Sequence, residues 1–159
     1  MTNNDILRRI RYTFDFSDTE MIEIFQMGGV QVTRSDISNW LKKEDDSQFD
    51  DLSDEPFAYF LNGFIVKKRG KREGPMPIAE KRLTNNLIFR KLKIALNIID
   101  NDIIEIMKLA NFRLGKHELS AFFRNPKQKQ YRECKNQILR NFIHGMQLKY
   151  RVEKNEEKE

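Results

Sequence analysis

A lone cysteine, Cys134, has no partner for an internal disulfide and suits a reducing compartment, so a cytoplasmic location is expected. Two histidines and that cysteine are too little material for a transition-metal site, and no metal or cofactor is expected. No apolar run approaches the roughly 18 residues that cross a bilayer, so no membrane partner is expected. The opening MTNNDILRRIRY has no apolar core of a secretory signal. The motifs H-E-x-x-H, G-x-S-x-G and C-x-x-C and the phosphate-binding loop are all missing, which removes the usual sequence support for catalysis. What remains is a chain of 159 residues, 33% charged, with mean hydropathy −0.69: one domain or two small ones, with modest cores.

The chain repeats itself. Shifted by 82 residues without a gap, residues 2–69 align with 84–151, and 15 of 68 positions are identical. Among them are Asn3/Asn85, Asn4/Asn86, Arg8/Arg90, Asp18/Asp100, Glu23/Glu105, Phe60/Phe142 and Gly63/Gly145. Other positions stay apolar, as in Trp40/Phe122 and Ile37/Leu119. Residues 70–83, GKREGPMPIAEKRL, carry two glycines and two prolines and read as a linker. Residues 152–159 read as a charged, flexible tail.

Each copy reads as four helices. The first starts at Asn3–Asn4, taken as its N-cap, and carries Leu7, Ile10 and Phe14 on one stripe. The second opens on a capping box, Ser17-x-x-Glu20, and stops at Gly28–Gly29. The third opens at Thr33-x-x-Asp36, with Gly115 at the matching cap of copy two. The fourth opens near Ser53–Pro56 and aligns Phe57, Phe60, Leu61 and Phe64; its copy aligns Leu139, Phe142, Ile143 and Met146. One copy alone makes a marginal core, so two copies packed together form the expected stable unit. Gly63 and Gly145 fall mid-helix, where glycine costs about 1 kcal/mol against alanine. Their retention predicts close backbone approach at a helix crossing.

Charge divides the copies. Copy one has nine basic and thirteen acidic residues; copy two has fourteen and five. Residues 44–55, EDDSQFDDLSDE, hold seven acids and no base, whereas the matching 126–137, PKQKQYRECKNQ, hold four bases and one acid. Two readings follow. Arg113, Lys116, Arg124, Lys127, Lys129 and Arg132 form an electrostatic footprint for nucleic acid. Alternatively Asp45, Asp46, Asp50 and Asp51 face the basic loop, within a chain or across a homo-oligomer, or meet a protein partner. Charge runs that are merely solvated are a third reading.

The stretches TNNDILRRIRY, WLKKEDD, FLNGFIVKKRGKREGP, EKRLTNN and YRECKNQILRNF resemble the YehS-like family of bacterial proteins. The resemblance spans Thr2 to about Arg151. It implies a helical, cytoplasmic protein built from two copies of a domain of unknown function. It implies no catalytic or ligand residues.

Helices two and three of each copy also suggest a helix-turn-helix. Arg34, Ser35, Ser38, Asn39 and Lys42 would then face base edges, with Lys116, His117, Ala121 and Arg124 in copy two. Against it, Ile37 and Trp40 fall about two residues later than the tight motif places them, and copy one is net acidic. Tyr131, among Lys127, Lys129 and Arg132, is the best candidate for base stacking. His117 and His144 read as surface groups, and Cys134, opposite Leu52, as a small semi-buried hydrophobe. Asp18 and Asp100 read as helix-start charges rather than metal ligands. The expectation is an all-α protein of two tandem four-helix repeats in one compact unit, a non-enzymatic binder. Its partner is nucleic acid at the basic repeat or, alternatively, protein at the charged loops.

Overall fold

Hydroxyls of Thr2, Ser17, Thr33 and Thr84 each accept from a free amide in the first turn of a helix. The computed structural model describes the backbone of residues 1–158 and the side chains of residues 1–151. Repeat one comprises α1 (Asn3–Phe14), α2 (Asp18–Gly28), α3 (Arg34–Leu41) and α4 (Asp54–Arg69). Repeat two comprises α5 (Asn85–Leu96), α6 (Asp100–Leu109), α7 (Lys116–Phe122) and α8 (Asn136–Lys158). There is no strand among the described residues. The side chains of the 152–159 segment, read from sequence as a tail, lie outside the described residues.

The boxes at Ser17/Glu20 and Thr33/Asp36 form as read. The first cap differs. Thr2 caps α1 and makes a box with Asp5, while Asn3 and Asn4 lie inside the helix. Burial pushes the Asp5 carboxyl up. Hydrogen bonds from Thr2 and Arg8 outweigh it and hold the group below its ordinary value.

The apolar stripes meet in one core that runs through both repeats. Phe57, Phe60 and Phe64 of α4 are fully buried, as are Leu139, Phe142, Ile143 and Met146 of α8. Each such side chain contributes roughly 1.5–3 kcal/mol by leaving water. Within a repeat, the second helix packs on the fourth: α2 on α4, α6 on α8. Between repeats the first helices are exchanged, with α1 on α8 and α5 on α4. Because each contact has its counterpart under the duplication, the repeats pack as an isologous pair. Phe14 meets Tyr150 at 5.6 Å, and the Arg151 guanidinium donates to the Tyr12 carbonyl at 2.7 Å. On the other side Lys91, almost wholly buried, donates to Asn62 Oδ1 at 2.6 Å and pairs with Glu80 at 3.1 Å. The linker is thereby tied to the repeat interface.

The mid-helix glycines mark the crossings. A Cβ on Gly63 would sit 1.7 Å from the Ile24 carbonyl oxygen, and one on Gly145 would sit 2.2 Å from that of Ile106. Both obstacles are backbone, which cannot swing aside. Gly63→Ala is expected to destabilise by about 2 kcal/mol or more, because overpacking outweighs the roughly 1 kcal/mol of helix propensity gained. Chemical denaturation checks it. A variant as stable as the parent would mean that the crossing is not backbone to backbone.

Candidate nucleic-acid interface

The loop bearing the basic residues has no helical bonds of its own, so something else must hold it. That is Asn86, buried at the start of α5. Its amide nitrogen donates to the carbonyls of Phe122 (3.0 Å) and Arg132 (2.8 Å), and its oxygen accepts from the Cys134 N–H (2.9 Å). Asn4 repeats this in copy one, donating to Trp40 and Asp50 at 2.9 Å and accepting from Leu52 at 3.0 Å. Beside it Asn85 donates to the Cys134 carbonyl (2.9 Å), as Asn3 does to that of Leu52 (3.0 Å). Arg8 reaches the carbonyls of Leu41 and Lys42 that end α3, and Arg90 reaches that of Phe123 at the end of α7. Sequence reasoning missed this latch by treating the asparagines as caps. The signal was available, since all three residue types are identical in both copies.

Held this way, the loop and α7 wall a groove of about 510 Å³. Arg124, Arg132 and Lys135 line it, with His117 and Gln130. Glu118 and Glu133 also face it, and Glu133 pairs with Lys135 at 3.4 Å. Its apolar wall is Ala121, Phe122 and Ile138. Of the six cations expected to act together, only Arg124 and Arg132 line the groove. Lys116 instead lines a separate shallow depression with Lys93, Ile99 and Asp100. Lys127, Lys129 and Arg113 line neither of these two. All six are exposed, and none is in an ion pair among the described residues. Tyr131 is half-buried in the loop and does not line the groove.

Other readings fare unevenly. Asp45, Asp46, Asp50 and Asp51 are exposed. No hydrogen bond or ion pair joins their side chains to the basic loop among the described residues; Asp46 accepts from the Gln48 N–H instead. The pairing of the two loops within one chain is thus not what the fold uses. The helix-turn-helix reading loses ground: five residues separate α2 from α3, six separate α6 from α7, and α7 has only seven. Ala121, expected to face base edges, is buried. In copy one, Arg34 lies 3.7 Å from Asp18, and Lys42 donates to Asn39 (2.9 Å) and Gln48 (3.1 Å). Asp18 and Asp100 open their helices; Asp100 binds Lys93 at 3.0 Å. His117 and His144 are exposed. Cys134 is buried, and that burial pushes its thiol up to about 12, the opposite of a nucleophile's tuning.

The duplication agrees with the comparisons. The family model described as "Protein of unknown function (DUF1456)" matches residues 3–70 and again 85–151. The chain belongs to this family. The family member "Uncharacterized protein YehS" of Escherichia coli (strain K12) is 38% identical over 155 residues, covering 97% of this chain and 99% of that one. No solved structure matches. No helix among the described residues is long and apolar enough to cross a membrane.

Two outcomes follow from the latch. Asn86→Ala, which orphans two carbonyls and an amide, is expected to cost about 2–3 kcal/mol in denaturant melts. Amide exchange should speed up over residues 123–135 before it does elsewhere. Native Cys134 should resist alkylation at pH 8 and react once denatured. Since its folded pKa lies above the unfolded one, its burial contributes full stability below about pH 9. That contribution is lost as pH rises toward about 12.

Proposed function

We propose that this protein is a non-catalytic binder of nucleic acid that acts through α7 and the loop after it, in the cytoplasm. The observation that carries the reading is the set of exposed cations on a loop whose backbone is fixed by Asn86. Folded proteins spend most exposed lysines and arginines on solvation or on local acids; here Arg124, Lys127, Lys129 and Arg132 have no acid within ion-pair distance among the described residues. A rigid loop loses little conformational freedom on binding, so phosphate contacts retain more of their strength. Arginine adds a planar fork that meets phosphate through two hydrogen bonds.

A second reading has its own support. Asp45, Asp50 and Asp51 are equally exposed and free of ion pairs among the described residues. They suit a basic protein surface or the basic loop of another copy.

Fluorescence anisotropy with labelled DNA and RNA tests the first reading. Binding is expected at physiological salt, weakening steeply as salt rises because counterions are released. Changing Lys127, Lys129 and Arg132 together to Glu should reduce affinity by at least about tenfold, that is, by about 1.4 kcal/mol. Binding confined to low salt would sink the proposal. If those changes instead shift the oligomeric state in sedimentation, as changes at Asp50 and Asp51 also would, the second reading takes its place.

A further inference from the structure

Resting on that reading, we infer that the groove between α7, the loop and the start of α8 takes a single strand of nucleic acid, with one base unstacked into it. The argument is one of shape and chemistry. A duplex is read by something convex that enters its groove, such as an exposed helix face. Here α7 has only seven residues, too short to follow a duplex groove, and its His117, Glu118, Ala121 and Phe122 line a concavity. The cavity of about 510 Å³ lies at the lower end of the range for small-molecule pockets, enough for one nucleoside.

Its walls divide the work. Arg124 and Arg132 stand where phosphates on either side of a base would pass. Ala121, Phe122 and Ile138 supply an apolar surface for the face of the base. The two carboxylates decide between a base and a bare polyanion. Glu118 and Glu133 would repel a phosphate chain, but a carboxylate accepts from the exocyclic amino group of a base. Gln130 can donate and accept beside them. The other four cations of the loop and α7 region lie outside the groove and would meet the strand's flanking phosphates.

The test uses the full chain at physiological salt. Anisotropy compares a short labelled strand, as DNA and as RNA, with its matching duplex. The strand carries 2-aminopurine, whose fluorescence rises when the base leaves its stack. The single strand is expected to bind at least about tenfold tighter than the duplex, with a fluorescence rise, since one stacked base is worth about 1–3 kcal/mol. Ala121→Leu, which fills the groove with no ring for a base to stack on and leaves every cation in place, should remove that preference. Circular dichroism confirms its fold, and the fluorescence change with unaltered protein stands independently of it. Duplex binding as tight as the single strand, or unchanged fluorescence, overturns this inference while leaving the polyanion reading intact. Absence of binding by either overturns both. The DNA and RNA arms show whether the 2′-hydroxyl contributes.

Discussion

The interaction on which the rest depends is the buried asparagine at the start of each repeat. Asn4 and Asn86 each tie three separated stretches of backbone together, using both donors and the acceptor of one amide. A short helix and an irregular loop of twelve or thirteen residues bury too little apolar surface to hold themselves, and buried carbonyls need partners. One side chain solves both problems. Its partners are all main-chain groups, so this anchor does not depend on which side chains the loop carries at Asp50 and Arg132. That freedom is why the two loops keep the same length and path while one turned acidic and the other basic. Arg8 and Arg90 extend the same logic to the ends of α3 and α7, where helix carbonyls lack amides.

The second constraint is the exchange of first helices. Within a repeat the second and fourth helices join closely, while α1 and α5 divide their contacts: Phe14 meets Phe64 at 5.3 Å and Phe89 meets Phe142 at 4.6 Å in their own repeats, and each helix also packs on the other repeat. The two repeats therefore share one core through these helices. The close glycine crossings make this possible by drawing α2 and α4, and α6 and α8, nearly backbone to backbone. The two crossings are not identical. Gly28, whose Cβ would meet the Tyr59 carbonyl at 1.8 Å, has Ala110 as its counterpart, so the second crossing admits a methyl group that the first does not.

Much of this was legible in the chain. Apolar spacing found the stripes of α4 and α8, capping boxes found the starts of α2 and α3, and glycine retention found the crossings. Each is a local signal, in which the residue and its consequence lie within a few positions. The latch was not found because asparagine before an apolar stripe has a strong local reading as a cap. The long-range one, across 36 to 48 residues, requires knowing where the loop goes. The groove was invisible for the same reason: Arg124, Arg132, Lys135 and Ile138 are brought together by α7 and α8 folding around Asn86. Charge counting grouped six cations, of which the fold brings only Arg124 and Arg132 to the groove, since Arg113, Lys116, Lys127 and Lys129 do not line it.

Comparing the copies residue by residue shows how one frame yields two surfaces. In repeat one, Lys42 is bound by Asn39 and Gln48, which hold its ammonium against the protein. In repeat two the counterparts are Arg124, Ala121 and Gln130. Replacing the amide with a methyl group removes the acceptor that held the cation and clears space beside Phe122. The larger, planar guanidinium is left exposed at the edge of that space. Asp50 becomes Arg132 at a point where the backbone carbonyl is already held by the asparagine, so the change of sign costs the fold nothing in hydrogen bonds. On the same latched frame, Lys42 of repeat one is held by neighbouring amides, whereas Arg124 and Arg132 of repeat two line a groove and are in no ion pair among the described residues. A duplicated domain that keeps its backbone latch while the surface around it changes has separated the residues that fold it from the residues left free on its surface.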